Sequence, residues 1–175
     1  YENTLLVAGV GTSFEQYKDL IASLGITATY DDLRTDSTAT ESLKKQGGSF
    51  SEVAGNYGFT IDKRNRAFMP TEGSIIGFSQ QFPIYADKSF ISNSLTSSVY
   101  KTMNEDLIGA SKFYIATING LGSDDVRLSK RKGLSTRRLR GFERNKIGPV
   151  DGGDHIGGNY AAAFNLEASL PNFLP

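Results

Sequence analysis

Hydrophobic and polar side chains alternate with a period of two along most of this chain. From residue 20 to residue 30 the even positions carry the apolar side chains Leu20, Ala22, Leu24, Ile26, Ala28 and Tyr30. Between residues 51 and 64 the odd positions are apolar instead, with Val53, Tyr57, Phe59 and Ile61 opposite Glu52, Asn56, Thr60 and Asp62. Successive side chains of a β-strand point to opposite faces, so this period predicts strands that are apolar on one face only.

The alternation predicts an all-β chain whose consecutive strands pair antiparallel in one up-and-down sheet. Seven strands are predicted: Thr4–Phe14, Leu20–Leu33, Ser51–Arg64, Ser74–Ile84, Asn93–Met103, Asp106–Asn119 and a last strand from Gly158 onward. In the last strand the apolar row runs over even positions from Tyr160 to Leu170, and Glu167 belongs to the polar row. In the sixth strand Lys112 leaves the inward and outward faces undecided.

The predicted strands are long, and their length bears on where they reside. Strands of soluble proteins usually have about five or six residues, whereas a tilted strand needs about nine to eleven to cross a bilayer. The connections also alternate: compact turns are predicted at 64–73 and 104–106, and longer polar loops at 36–49, 83–92 and 120–157. This pattern favours a transmembrane β-barrel with periplasmic turns and external loops. A soluble β-sandwich also alternates and remains the other fold.

Seven strands are too few to close such a barrel by themselves. An open sheet edge inside a bilayer leaves backbone groups unpaired, at several kcal/mol for each group. The chain begins at Tyr1 without an initiator Met and stops at Pro175 in what reads as a turn. We therefore expect residues 1–175 to be part of a longer barrel domain.

Composition limits the possible partners. The 175 residues include 19 basic and 19 acidic side chains and no Cys, so a global nucleic-acid-binding charge and disulfides are both excluded. The basic charge is local, because nine of the 19 Lys and Arg residues lie between Arg127 and Lys146, with Glu143 as the only acid. A soluble β-rich module that binds nucleic acid through this patch is the alternative from another class. Such modules interleave aromatic residues with basic ones, and Phe142 is the only aromatic here.

The basic patch belongs to a predicted loop of nearly forty residues, Gly120–Gly157. A loop of this length that carries an apolar Phe142 between charges is expected to fold back onto another part of the protein. If it enters the lumen, Arg140 can pair bidentately with Glu167 in the polar row of the next strand. Five other cations of the patch are expected to be solvated or to face anionic lipopolysaccharide: Lys130, Arg131, Lys132, Arg137 and Arg138.

One ordered set of motifs resembles a known family. The segment Leu139-Arg140-Gly141-Phe142 resembles the loop signature of BamA-type outer-membrane assembly factors, in which an aliphatic residue precedes Arg, Gly and an aromatic residue. Three further matches follow in the family's order: Ile147-Gly148-Pro149, Gly157-Gly158-Asn159 and then Glu167. The turn Phe68-Met69-Pro70-Thr71-Glu72-Gly73 also resembles the family's periplasmic turn. The resemblance covers essentially residues 1–175.

The resemblance implies a fold and a function. The seven strands would be strands six to twelve of a sixteen-stranded barrel, with the periplasmic POTRA domains and the other strands outside this sequence. The protein would insert nascent outer-membrane proteins in a Gram-negative outer membrane, aided by accessory assembly lipoproteins, with no nucleic acid as a partner. Arg140 would sit in the lumen and pair with inner-wall acids, one of which matches Glu167. A TamA-like or two-partner-secretion transporter shares the arginine motif and remains the alternative within the superfamily.

The chain offers no pattern typical of catalysis or metal binding. Ser129 and Ser135 lack a positioned base, and His155 has no neighbouring Cys or His ligand. The segment from Asp151 to Asp154 does not match the spacing of a calcium-binding EF-hand loop. The sequence therefore predicts a protein that is not an enzyme and needs no metal or cofactor.

Overall fold

The computed structural model of this chain describes residues 2–35, 40–105 and 107–169. Its main feature is an antiparallel sheet of seven strands, in which neighbours along the chain are also neighbours in space. In chain order the elements are β1 Glu2–Tyr17, β2 Leu20–Arg34, α1 Glu41–Lys44, β3 Gly48–Asp62, β4 Gly73–Ala86, β5 Phe90–Asn104, β6 Leu107–Gly120, a 3₁₀ helix Leu128–Lys130, β7 Val150–Asp151, β8 Asp154–His155 and β9 Tyr160–Ser169. No helix among the described residues is long and apolar enough to cross a membrane.

The predicted all-β antiparallel sheet is confirmed, and strands β1 to β5 are longer than expected. Each of β1 to β6 has 14 to 16 residues, and β9 has ten. Strands β1 and β9 form the two edges of the sheet in the described part of the chain. Some predicted positions lie outside the described residues, namely 36–39 of the predicted loop 36–49, Asp106 and the segment 170–175.

The predicted long loop at Pro83–Ser92 is wrong. Strand β4 continues to Ala86 and β5 begins at Phe90, so three residues join them. Pro83 is tolerated because it lies beside a bulge, where the pairing of β3 with β4 skips one residue. The short connection is stabilised by carboxylates: Asp87 accepts a hydrogen bond of 2.7 Å from the Ser51 amide, and Asp124 accepts one of 2.9 Å from the Ser89 amide.

The strand register separates two faces of the sheet. One face carries apolar side chains that are exposed in this sheet, including Val10, Leu24, Phe59, Phe82 and Phe164. We call the opposite face the inner wall, because the long loop after β6 packs against its residues Asp31, Glu52, Ser92 and Tyr114. The face assignments predicted for β2, β3, β4 and β9 agree with this register.

A compact turn joins β3 to β4 at the end of the sheet opposite the long loop. Arg64 makes two hydrogen bonds with the Asp62 carboxylate, at 2.8 and 2.6 Å, and this contact raises the pKa of Arg64. The Asn65 carboxamide bonds Thr71 and the Glu72 amide, which ties the two sides of the turn together. These bonds fix the turn that the sequence predicted at 64–73.

The apolar core lies at the other end of the sheet, where the long loop meets the inner wall. Phe50, Phe90 and Ile118 come from β3, β5 and β6, and Val126 comes from the loop. All four are almost completely buried. The loop is thus part of the core of this structure rather than an appendage.

Candidate functional site: the long loop and the inner wall

The connection between β6 and β9 divides into two parts. Lys132 and Gly158 exchange two backbone hydrogen bonds, from Lys132 N to Gly158 O at 2.7 Å and from Gly158 N to Lys132 O at 3.0 Å. We call residues 121–133 the loop root and residues 134–157 the loop tip. The root contains the 3₁₀ helix, and the tip contains the small β7–β8 hairpin.

The structure brings Arg140 of the tip next to Glu167 of β9. Arg140 Nη2 lies 3.5 Å from Glu167 Oε1, and Glu167 is on the inner wall opposite Ala110 of β6. The contact is a single long one, whereas the sequence suggested a bidentate pair. The Arg140 side chain remains 76% exposed and the Glu167 side chain 26% exposed. At such exposure solvent screens most of the attraction, so this contact orients more than it stabilises.

Glu167 has a second and closer cation. Lys112 Nζ on the neighbouring strand β6 lies 2.7 Å from Glu167 Oε2. The face of Lys112 was undecided in the sequence, and the register settles it, because Phe113 pairs with Phe164 on the apolar face. Sequence reasoning missed this residue as a member of the site. The sequence did mark Lys112 as unusual, because it is a charge inside an otherwise apolar run. Its partner Glu167 could be identified only from the strand register.

The loop lies against the inner wall, but Phe142, the apolar residue that suggested such a fold-back, is 52% exposed and does not hold it there. Ile147 is also exposed, as are the Gly148 and Pro149 that follow it, while Leu139 is half-buried. Gly141 has a φ of +85°, a left-handed conformation that glycine adopts readily, so the chain turns directly after Arg140.

The tip is held to the inner wall by Arg138, which the sequence analysis expected to be solvated. The Arg138 guanidinium lies 3.5 Å from the centre of the Tyr114 ring, a stacked cation–π contact. The Asn165 side-chain amide donates a hydrogen bond of 3.0 Å to the Arg138 carbonyl. That expectation is therefore wrong for Arg138, whereas Arg137 is exposed as expected.

The segment Gly157-Gly158-Asn159 closes the loop and starts β9. Gly157 has a φ of +68°, and a Cβ there would lie 3.1 Å from the Lys132 carbonyl oxygen. Gly158 carries the backbone pairing with Lys132, and the Asn159 carbonyl accepts a hydrogen bond of 2.8 Å from the Ile118 amide. The three residues therefore join the loop root to the sheet through backbone contacts.

The loop root carries cations that face buried acids. Arg127 Nη2 lies 3.7 Å from Asp31 Oδ2, and the Ser129 hydroxyl donates to the same oxygen at 2.7 Å. Lys130 Nζ lies 2.6 Å from Glu52 Oε2. Asp31 and Glu52 are 0% and 2% exposed, and Arg127 is 5% exposed.

The expectation that Lys130, Arg131 and Lys132 are solvated or face lipopolysaccharide is therefore wrong. Lys130 binds Glu52, Arg131 lies 3.7 Å from Asp125, and Lys132 donates a hydrogen bond of 2.7 Å to Ser92 on the inner wall. Burial, and secondarily the charge of Lys130, lowers the pKa of Lys132 below its ordinary value. Lys130 and Lys132 point inward because the wall supplies a carboxylate and a hydroxyl that compensate them, whereas Arg131 pairs within the loop root.

The described part of the chain contains no group of three or more His, Asp or Glu residues that could hold a metal ion. His155 is exposed in β8. What this arrangement can do chemically is to hold a polar loop against a wall by ion pairs, hydrogen bonds and three cation–π contacts.

Comparison with known proteins gives a family. A family model described as the Omp85 superfamily domain matches residues 1–175. The outer membrane protein assembly factor BamA of Neorickettsia risticii is 27% identical over 175 residues, which cover 97% of this chain and 23% of that protein. The sorting and assembly machinery component 50 homolog of Homo sapiens is 26% identical over 139 residues, which cover 77% of this chain and 30% of that protein.

A solved structure shares the fold. The crystal structure of BamA from Haemophilus ducreyi lacking POTRA domains 1–3 superimposes with a TM-score of 0.87, at 21% identity, over 99% of this chain and 38% of that one. This chain thus spans between 23% and 38% of the length of the proteins that it resembles.

Proposed function

The chain belongs to the Omp85 superfamily, and we propose that it forms part of the barrel of a protein that inserts β-barrel proteins into an outer membrane. The observation that carries this proposal is the inward-turned basic loop, whose Arg140 meets Glu167 on the inner wall. The relatives named above support it, since their names describe an assembly factor and a component of an assembly machinery.

The sheet itself supports a membrane location. Strands of 14 to 16 residues, at about 3.3 Å per residue, exceed the thickness of a bilayer core even when tilted. The face opposite the loop exposes large apolar side chains, among them Val10, Leu166 and Phe164. Lipid covers such a face in a barrel, and further strands pair with the edges β1 and β9.

We place the protein in the outer membrane of a Gram-negative bacterium. The match to the bacterial relative extends over 97% of this chain, against 77% for the human one. The partners are then nascent outer-membrane proteins, accessory assembly lipoproteins that act through other parts of the whole protein, and membrane lipid. The contribution of this chain is positional, without catalysis or a cofactor.

In this proposal the orientation of the loop tip inside the barrel decides whether the barrel favours client insertion. Arg140 and Glu167 hold the tip in one orientation against the inner wall, and Arg138 on Tyr114 limits its rotation. At about 4 Å and an effective dielectric near 20 the attraction of such a pair is roughly 4 kcal/mol, but desolvation and solvent screening offset most of it. The pair therefore selects an orientation that favours client insertion rather than stabilising the barrel.

The alternatives have less support. A nucleic-acid-binding module needs its basic residues at the surface, and Arg127, Lys130 and Lys132 are instead directed at the inner wall. The relatives named above do not favour a TamA-like or two-partner-secretion transporter.

The test is a charge exchange in the full-length protein, reconstituted in proteoliposomes. We expect Arg140→Glu and Glu167→Arg each to reduce client assembly and to expose the loop tip to protease, and the double exchange to restore part of both. Arg137→Glu is the matched control, because Arg137 is an exposed arginine of the same tip. Full client assembly in both single variants would refute the proposed role of the pair.

A further inference from the structure

The loop root contacts two acids that the sheet holds out of water. Asp31 of β2 and Glu52 of β3 lie on the inner wall as diagonal neighbours, since Asp31 pairs with Phe50 and Thr29 pairs with Glu52. Both side chains are at most 2% exposed. Two carboxylates buried side by side are strongly destabilising unless cations compensate them. The sheet is therefore built to receive positive charge at this position.

The loop root supplies that charge from one short element. Arg127 and Lys130 are three residues apart at the start and end of the 3₁₀ segment, and this spacing places side chains on the same side of a 3₁₀ helix. Arg127 faces Asp31, and Lys130 faces Glu52. Ser129 adds a hydrogen bond to Asp31. The spacing of the cations thus matches the spacing of the acids on two adjacent strands.

Contacts other than ion pairs also fix the same segment. Val126 packs into the core formed by Phe50, Phe90 and Ile118. The Gln46 side chain, from the segment before β3, accepts a hydrogen bond from the Leu128 amide and donates one to the Val126 carbonyl. Lys130 and Arg127 also lie over the Phe90 and Phe50 rings. The root is consequently held by strands β2, β3, β5 and β6 together.

The ion pairs of the loop root and the loop tip differ in their exposure to solvent. The Arg127 and Lys130 side chains are 6% and 19% exposed, whereas that of Arg140 is 76% exposed. Salt screens exposed pairs strongly and buried pairs weakly. Removing one partner of a buried ion pair also leaves an uncompensated charge out of water. Removing one partner of an exposed pair does not, because water solvates the charge that remains.

We propose that Asp31 and Glu52, with Arg127, Ser129 and Lys130, form a permanent anchor of the loop root, so that only the loop tip is released when the Arg140 contact opens. The anchor makes Arg127 and Lys130 positioning residues for Arg140. Its consequence for client insertion rests on the proposed function, whereas the anchor itself is measured without a client.

The experiment measures distances in the full-length protein in lipid nanodiscs. Spin labels at Ser123→Cys in the root and at Glu143→Cys in the tip are each paired with a label at Lys101→Cys, an exposed position of β5. We expect Arg140→Ala to replace the narrow tip distance by a broad distribution and to leave the root distance narrow. Lys130→Met and Arg127→Met are expected to lose both narrow distances, and Lys130→Arg is expected to keep both.

The anchor is refuted if Arg140→Ala broadens the root distance as much as Lys130→Met does, or if the root stays narrow in both Lys130→Met and Arg127→Met. If these two variants fail to fold, the same two distances are measured with and without added salt in the protein whose loop carries no substitution other than the spin labels. A tip distance that broadens in 1 M salt beside an unchanged root supports the anchor. Equal broadening of both distances refutes it. If the root distance stays narrow while Arg140→Glu assembles clients normally, the proposed function is refuted and the anchor is not.

Discussion

Lys112 lies closer to Glu167 than the loop arginine does. Its Nζ is 2.7 Å from Glu167 Oε2, while Arg140 Nη2 is 3.5 Å from Oε1 of the same carboxylate. One acid on the inner wall thus serves two cations, one from a neighbouring strand and one from the loop tip. The lysine is fixed by the sheet, so its contact persists when the tip moves, and Arg140 is the exchangeable partner.

This sharing predicts that Lys112→Met strengthens the Arg140 contact. Without the lysine, Glu167 keeps its full charge for Arg140, a gain of roughly 0–1 kcal/mol for such a solvent-screened pair. The measurement is protease protection of the loop tip as a function of salt, with Lys101→Met of β5 as the control. Weaker protection in Lys112→Met would contradict the prediction and would mean that the lysine orients the carboxylate for Arg140.

The buried ion pair of Lys130 with Glu52 predicts that substitutions of these two residues have non-additive effects on stability. Breaking a buried ion pair by removing one partner typically destabilises by about 3–5 kcal/mol, whereas replacing both partners is often much milder. We expect Glu52→Gln or Lys130→Met alone to lower the thermal unfolding temperature more than the double variant does. The surface pair Glu143–Lys146, at 3.9 Å and largely exposed, is the control and should show no measurable coupling. Additive effects of Glu52→Gln and Lys130→Met would argue against a buried pair.

The lowered pKa of Lys132 predicts a pH dependence of the loop root. A lysine with a lowered folded pKa binds fewer protons when folded than when unfolded, so stability rises with pH between the folded pKa and the ordinary value of 10.5. We expect amide exchange in the root, corrected for its intrinsic pH dependence, to slow over that window. Lys132→Met should remove this part of the slope. An identical slope in that variant would show that Lys132 does not titrate there.

Two glycines of the loop permit a matched test of the Lys132–Gly158 pairing. Gly157 and Gly122 have φ values of +68° and +66°, so alanine strains both backbones alike, by about 1–2 kcal/mol. A Cβ at Gly157 would approach the Lys132 carbonyl at 3.1 Å, whereas nothing lies within 4 Å of one at Gly122. We expect Gly157→Ala to increase amide exchange at Lys132 and Gly158, and Gly122→Ala to leave it unchanged. Equal effects of Gly157→Ala and Gly122→Ala on this exchange would show that the close approach of Gly157 to the Lys132 carbonyl has no special role.

Most of the sheet could be predicted from the sequence because its signal is local. A strand shows its two faces in the alternation of its own side chains, so Glu167 and Glu52 were placed in polar rows before any partner was known. The prediction failed at Pro83, since a bulge lets proline continue a strand where composition suggests a loop. Lys112 remained undecided because it interrupts the alternation.

The sequence by itself determined the number and order of the sheet strands, the faces of β2, β3, β4 and β9, the existence of a long basic loop and the candidate pairing of Arg140 with Glu167. Only the tertiary structure decided which cation meets which acid. Ser129 and Asp31 are 98 residues apart, and Lys130 and Glu52 are 78 apart. Alternation has a period of two residues and carries no information over such separations, whereas the strand register and the path of the loop do. The cluster that looks like one basic patch in the sequence is therefore divided by the fold into a buried root and an exposed tip.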